Sequence, residues 1–190
     1  MAKEKVKREI ALKVAKEIIE TLTNCCEKIE IAGSLRREKE EVGDIEILYV
    51  PKYIERNERN LLFEVKTIRN VADEKLEELL RKNYFHKRIN KIGSTVYGDK
   101  NKLLKHVESG INVDLFSTTI PAWYNYLVCR TGGAANNALI AGRAKDMGWK
   151  WKVYEEGFEN RNSKEIRKIS SEEEVYAFVG LPYIKPKERL

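Results

Sequence analysis

Two carboxylates stand at alternate positions at the head of an apolar run, in the segment GDIEILYV at residues 43–50. Residues two apart in a β-strand point to the same face, so Asp44 and Glu46 project together while Ile45 and Ile47 project from the opposite face. Two like charges this close repel, and they raise each other's pKa unless a cation lies between them. The run therefore predicts a strand with one apolar face and a pair of acids that requires compensation.

A third acid repeats this pattern, because Asp114 lies in the apolar segment VDLF within a predicted strand at residues 110–117. If the two strands lie side by side, three carboxylates converge, and oxygen ligands of this kind bind hard divalent cations such as Mg²⁺. Such a set serves two metal ions, one that activates a hydroxyl and one that holds a triphosphate and stabilises the leaving oxygen. The alternative is that Asp44, Glu46 and Asp114 are solvated acids on half-exposed strands.

A Gly-Ser pair separates a predicted strand at residues 28–32 from Arg36 and Arg37. Gly33 lets the backbone turn and lets a phosphate approach, and exposed N–H groups and the Ser34 hydroxyl can donate to phosphate oxygens. One of the arginines can add a charge-assisted contact. The spacing matches neither G-x-x-x-x-G-K-[ST] nor G-x-G-x-x-G. A plain turn with two solvated arginines is the alternative.

Apolar spacing, capping signals and turn residues organise the rest of the chain. Helices are predicted at residues 5–22, 71–83, 121–129, 134–147 and from Ser171 to Gly180. Short β-prone pieces surround Gly93, and the alternating segment 149–154 predicts a small antiparallel sheet. The interruption at residues 131–133 (TGG) is the best hinge between two lobes.

Composition narrows the class of protein. With 42% apolar and 35% charged residues, the chain reads as a globular protein, and its net charge of +6 favours a polyanionic partner. The sequence has no apolar run of eighteen residues and begins with mixed charge, so we expect neither a membrane span nor secretion, but an intracellular protein. Three cysteines without a C-x-x-C motif and two isolated histidines argue against a structural zinc site.

Basic and aromatic residues give two weaker indications of nucleic-acid binding. Six Lys or Arg residues and one acid lie between His86 and Val107, which suits a loop against a nucleic-acid backbone, although a solvated loop is equally consistent. Trp149, Trp151 and Tyr154 have the side chains for stacking on bases, but a position in the C-terminal core is favoured.

Taken together, GSLRREKEEVGDIEIL and VDLF resemble the nucleotidyltransferase superfamily typified by DNA polymerase β. The segment YLVCRTGGAANNALIAGRAKDMGWKWKVYEEGF resembles the palm-to-thumb junction of family X polymerases, and SEEEVYAFVGLPYIKPKERL is similar to the end of their thumb. The resemblance implies an α+β fold, with a nucleotidyltransferase palm of mixed sheet and helices at residues 1–130 and a small α/β thumb at residues 131–190. No lyase or helix-hairpin-helix domain is expected, and hence no deoxyribose-phosphate lyase activity.

The resemblance implies a DNA-directed DNA polymerase that adds nucleotides to a 3′-hydroxyl, releases pyrophosphate and fills short gaps in DNA repair. Its implied cofactor is two Mg²⁺ ions per site, with Mn²⁺ as a substitute, and its implied partners are gapped or primer-template DNA and a dNTP, bound by a monomer. The implied site residues are Asp44, Glu46 and Asp114 for metal and catalysis, Gly33, Ser34 and Arg37 for the triphosphate, Gly132 and Gly133 for sugar and phosphate, and Asn137 for the base.

Two positions depart from the family's pattern, and two other functions stay open. Glu46 stands where family X usually has Asp, and Cys129 and Arg130 stand where two aromatic residues are common. One alternative is a nucleotidyltransferase that acts on an RNA end, a protein or a small molecule. The other is a nucleic-acid-binding module that has lost catalysis. The thumb-like ending favours a polymerase over the first, and the three acids argue against the second.

Overall fold

The computed structural model describes residues 5–59, 64–89 and 93–189. The helices of this part of the chain are α1 (Arg8–Thr23), α2 (Gly33–Arg36), α3 (Val71–Arg81), α4 (Trp123–Thr131), α5 (Ala134–Asp146) and α6 (Glu172–Phe178), with a 3-10 helix at Pro186–Glu188. The strands are β1 (Val6–Lys7), β2 (Cys26–Ala32), β3 (Glu41–Val42), β4 (Ile45–Pro51), β5 (Tyr53–Arg59), β6 (Glu64–Asn70), β7 (Phe85–Lys87), β8 (Asn101–His106), β9 (Asn112–Ser117), β10 (Trp149–Lys152), β11 (Gly157–Asn160) and β12 (Ile166–Lys168). No helix in the described ranges combines the length and apolar character needed to cross a membrane.

A mixed five-stranded sheet in the order β2-β4-β9-β8-β7 forms the N-terminal lobe. Strand β4 pairs antiparallel with β2 and parallel with β9, whereas β8 pairs antiparallel with both β9 and β7. The parallel pair brings the two acid-bearing strands side by side. Together with the helices, this mixed sheet confirms the expected α+β fold class.

The two faces of the sheet bury different side chains. Ile45 and Ile47 of β4 enter the core formed with α1 and α3, whereas Leu48 and Val50 pack on the opposite face against Trp123 of α4. This alternation follows from the two-residue period of a strand. The even-numbered positions of β4 therefore face α4.

A second core lies in the C-terminal lobe, where β10, β11 and β12 form an antiparallel sheet beside α5 and α6. Trp151 is buried there and Trp149 packs edge-on against Phe178, whereas Tyr154 is 57% exposed. Helix α4 contributes Val128 to this core and Leu127 to the core on the sheet. The division into lobes at residue 130 stays a prediction, and α4 joins the two cores.

Three local expectations are corrected. The first helix begins at Arg8 and not at residue 5, because Val6–Lys7 pairs as a strand with Glu41–Val42. The hairpin of β5 and β6 was not predicted. The basic segment from His86 to Val107 is not one loop, since it includes the end of β7 and all of β8. Its residues 90–92, which include Lys91, lie outside the described residues.

Candidate active site

The three predicted acids lie near the beginning of the neighbouring strands β4 and β9. Glu46 of β4 lies opposite Asp114 of β9 in the parallel register, and Asp44 lies one residue before β4 begins. Neighbouring strands are separated by about 4.8 Å, so the Cα atoms of Glu46 and Asp114 are held close by the backbone itself. All three acids are partly buried. The pairing of β4 with β9 thus places their acids side by side, which the sequence could only assume.

Glu46 has the most perturbed carboxyl group of the three. Burial raises its pKa to about 7, and the negative charges of Asp44 and Asp114 add to this effect, while Arg130 and Arg37 oppose it. The positive charge of the two arginines therefore does not offset burial and like-charge repulsion. A buried carboxyl group with this pKa in a polar cluster is a candidate for a functional site.

Asp114 is engaged by an arginine that the sequence did not connect to it. A terminal nitrogen of Arg88 lies 2.5 Å from Oδ1 of Asp114, and both side chains are largely buried, with 19% and 14% exposed. Within the described ranges, no group of three His, Cys, Asp or Glu side chains is gathered to hold a metal ion. Carboxylate oxygens on paired strands fit Mg²⁺ chemically, and one oxygen of Asp114 is bound by Arg88.

Gly33 forms the turn between β2 and α2, and it packs directly on Glu46. Its φ of +63° lies in the left-handed region, and a Cβ at this position would lie 2.8 Å from Cδ of Glu46 and 3.0 Å from its Oε1. Both the backbone conformation and the close approach therefore require glycine. Ser34 follows Gly33 in α2 and is partly exposed. The predicted phosphate turn and the predicted acids thus form one contiguous site.

The two arginines after this turn differ in their surroundings. Arg36 is held by Glu30, Thr131 and Glu172. Arg37 donates from Nη1 to the carbonyl oxygen of Thr131 at 2.7 Å, while its buried Nε has no hydrogen-bond partner. Burial lowers the pKa of Arg37. The Nε of Arg37 therefore lacks a partner within the protein, whereas Arg36 is held by three side chains. The role of Arg37 in triphosphate binding stays a prediction.

The predicted sugar-and-base residues form a tight turn between α4 and α5. Gly132 follows α4, and Gly133 precedes α5 and accepts from the backbone N–H of Asn137 at 3.1 Å. The Asn137 amide donates to the carbonyl oxygen of Cys129 at 2.8 Å. A Cβ on Gly132 would collide with Oδ1 of Asn137 and lie 2.6 Å from Nδ2 of Asn136. The side-chain amide of Asn137 is thus bound within the protein, to the backbone at the end of α4.

Arg130 replaces an expected aromatic residue and lies among aromatic rings. Its guanidinium carbon lies 3.6 Å from the ring centre of Phe116 and 5.1 Å from that of Tyr126, and its Nη2 donates to the Tyr126 hydroxyl at 3.1 Å. Phe116 follows Asp114 by two residues on the same face of β9, so this cation stands beside the acids. The sequence showed that Arg130 stands where an aromatic residue is common, but it did not show that Arg130 lies among aromatic rings beside the acids.

The basic segment divides into structural and exposed cations. Lys102 is only 2% exposed and pairs with Asp73 at 2.9 Å, so it belongs to the core. The residues Lys87, Lys100 and Lys105 are exposed. Cations of the exposed kind are the ones that a polyanion can reach.

Comparison with protein-family models matches residues 126–190 to the DNA polymerase beta thumb. The matched segment begins within α4 and includes α5, the antiparallel sheet and α6. A search of curated proteins found no matching relative. The mixed sheet of the N-terminal lobe followed by this segment agrees with the palm-thumb description. Residues 126–190 are therefore similar to the DNA polymerase beta thumb, which supports the resemblance of the chain to family X polymerases.

Proposed function

We propose that the chain is a DNA-directed DNA polymerase of the family X type, which adds deoxynucleotides to a 3′-hydroxyl, releases pyrophosphate and fills short gaps. The observation that carries this proposal is the parallel register that sets Glu46 opposite Asp114, beside Asp44 and under the Gly33 turn. Polymerase-like chemistry requires acids and a phosphate-binding turn at one place, and the region where β4 and β9 begin has both.

In this proposal Asp44, Glu46 and Asp114 hold two Mg²⁺ ions, or Mn²⁺ in their place. When bound, the metal lowers the pKa of the attacking hydroxyl and stabilises the leaving oxygen. Asp114 would release Arg88 to hold the metal, and in this proposal it is also the residue that takes the hydroxyl proton. Near neutral pH a bound metal would favour the ionised form of Glu46, whose pKa is raised to about 7 by burial and then by Asp44.

The nucleotide is held, in this proposal, by residues of both lobes. Ser34 and the free Nε of Arg37 donate to the triphosphate. Gly132 and Gly133 offer backbone without side chains to the sugar and phosphate. Asn137 contacts the base after its amide leaves the carbonyl oxygen of Cys129.

The thumb match supports interaction with DNA, and gapped or primer-template DNA bound by a monomer is the proposed substrate. Exposed Lys87, Lys100 and Lys105 supply positive charge on the palm. We expect affinity to fall steeply with salt, with a log–log slope of about −0.9 for each phosphate contacted. Fluorescence anisotropy of labelled gapped DNA across a salt series measures this slope.

Primer extension tests the proposed reaction. A gapped DNA is incubated with Mg²⁺ or Mn²⁺ and each dNTP or rNTP, and Asp114→Asn is expected to lower templated extension at least about a hundredfold. Asp99→Asn is the matched control, since Asp99 is an exposed acid. Extension without a template or on RNA alone would instead indicate a transferase with another acceptor.

A DNA-binding module without catalysis is the second candidate, and the Arg88–Asp114 ion pair is the observation in its favour. An arginine that permanently neutralises a metal-binding acid would prevent metal entry. In that case the protein binds gapped DNA but transfers no nucleotide with either metal. Any extension that Asp114→Asn removes rules this candidate out.

A further inference from the structure

Arg36 has no role in the proposed function, yet side chains from three segments hold it. Its Nε donates to Glu30 at 2.9 Å, and its Nη1 donates to Oγ1 of Thr131 at 3.0 Å. Its two terminal nitrogens bind the two carboxylate oxygens of Glu172 at 3.0 and 2.6 Å. A bidentate arginine–carboxylate pair is among the strongest and most directional contacts between side chains. One end of α2 is therefore fixed to the first residue of α6.

Glu172 is shared with a second arginine. A terminal nitrogen of Arg189 lies 2.8 Å from Oε2 of Glu172, and the Arg189 side chain is fully buried. The Arg189 Nε donates to the carbonyl oxygen of Ile184 at 2.9 Å. Although burial raises the pKa of Glu172, hydrogen bonding and charge from Arg36 and then Arg189 lower it below its ordinary value. Glu172 is thus an ionised carboxylate bridging two guanidinium groups.

We infer that Glu172 and Arg189, both in the thumb segment, are positioning residues for the phosphate turn of the palm and act on it through Arg36. Helix α2 spans only Gly33–Arg36, and so short a helix does not hold its own geometry. Tertiary contacts at both ends orient it: Gly33 packs on Glu46 at one end, and Arg36 binds Glu172 at the other, with Leu35 buried in the core between them.

Ser34 lies between these two anchors and Arg37 follows them directly, so the anchors set where both residues point. The inference rests on the proposed function only in naming the ligand, which is a nucleoside triphosphate. Glu172 and Arg189, which are far from the turn in the sequence, thus orient the triphosphate donors Ser34 and Arg37. By linkage, a triphosphate held by the turn also stabilises the contact between the lobes.

Hydrogen exchange of the metal-free protein tests the positioning without any ligand. Glu172→Gln is compared with Glu173→Gln, since Glu173 is the adjacent exposed acid in the same helical turn. We expect the amides of α2 to exchange at least about tenfold faster in Glu172→Gln only, as a locally released element does. Unchanged exchange in α2 overturns the inference. An equal rise throughout the chain also overturns it, because Glu172 would then be a general stabilising residue.

Triphosphate affinity provides the second measurement, with dATP and Ca²⁺ as the probe so that no turnover occurs. We expect Glu172→Gln and Arg189→Gln each to weaken dATP binding roughly tenfold, the lower end of what loss of an orienting partner costs. Affinity for gapped DNA without nucleotide is expected to stay within about twofold. In an Arg36→Met background, Glu172→Gln should add nothing further, and a full additional loss there overturns the route through Arg36.

Failure of the proposed function and failure of the positioning inference give different results. If the wild-type protein binds no triphosphate, the proposed function fails, while exchange in α2 still decides the positioning. If dATP binds and α2 responds to Glu172→Gln but affinity does not change, the turn is not the phosphate site and the inference falls with it.

Discussion

At the scale of single residues, the site is a balance between buried acids and nearby arginines. Alternation along the sequence was enough to predict that Asp44 and Glu46 project from one face, because strand geometry fixes this. The partners Arg88 and Arg130 were not predicted, since each reaches its acid through strand pairing or helix packing. No local pattern encodes which distant cation will neutralise a given carboxylate.

Glu46 gives a pH-dependent prediction for the metal-free protein. Burial raises its folded-state pKa to about 7, while an unfolded chain has the ordinary value of about 4.3. Between these values the folded chain holds a proton that the unfolded chain has lost, so the contribution of Glu46 to stability is present below the unfolded-state pKa and is lost as pH rises through the folded-state value. Glu46→Gln removes this effect and should raise the free energy of unfolding by on the order of 2 kcal/mol more at about pH 8 than at about pH 5.

Urea unfolding in EDTA at the two pH values measures this difference. Glu78 provides the control, because Lys82 and then Lys75 lower its pKa to about 2, which is the opposite direction. Glu78→Gln must not reproduce the gain near pH 8. An equal effect of Glu46→Gln at both pH values would contradict the raised pKa.

Arg88 gives a prediction about metal affinity. A metal ion that binds Asp114 would compete with the Arg88 guanidinium for this carboxylate, so Arg88→Gln should tighten Mn²⁺ binding roughly tenfold, about 1.4 kcal/mol. Lys87→Gln removes the same charge from the adjacent exposed residue and should have little effect. Electron paramagnetic resonance of free Mn²⁺, without nucleotide or DNA, measures both. Weaker binding in Arg88→Gln would show that Arg88 assists the metal site.

At the scale of elements, helices and apolar strands were predicted where their period is clear, and β8 shows where this fails. Lys102, Leu104 and His106 are buried on one face of β8, but two of the three are polar. The sequence of β8 therefore lacks the alternation of apolar and polar residues by which a half-buried strand is recognised. The buried ion pair of Lys102 with Asp73 replaces the apolar contact that sequence reading looks for.

The turn between α4 and α5 gives a matched pair of substitutions. Gly132→Ala should displace the Asn137 amide, because the new Cβ would collide with it, and we expect a loss of roughly 1–3 kcal/mol in stability. Gly142→Ala lies within α5 with nothing within 4 Å of a new Cβ, so it should stabilise by about 0.5–1 kcal/mol. Thermal unfolding measures both. A stabilising Gly132→Ala would mean that the turn can rearrange without cost.

At the scale of the whole molecule, α4 makes the two lobes depend on each other. Leu127 and Trp123 pack on the sheet, while Val128 packs in the C-terminal core. The Arg36–Glu172 pair adds a second tie between the lobes. The sequence marked residues 131–133 as the best hinge, but sequence spacing does not reveal that one helix completes two cores, because that depends on which face each core covers.

This shared helix predicts that the lobes unfold together. All three tryptophans, Trp123, Trp149 and Trp151, lie in α4 or the C-terminal lobe, whereas helical circular dichroism reports on both lobes. We expect the fluorescence and circular-dichroism curves in urea to coincide in one transition, since loss of either core removes the packing of α4. Arg36→Met should lower the midpoint for both signals together, because it removes the tie between the lobes that Arg36 forms with Glu172. Two separate transitions in the wild-type protein would show that each lobe is stable without the other and that α4 does not couple them.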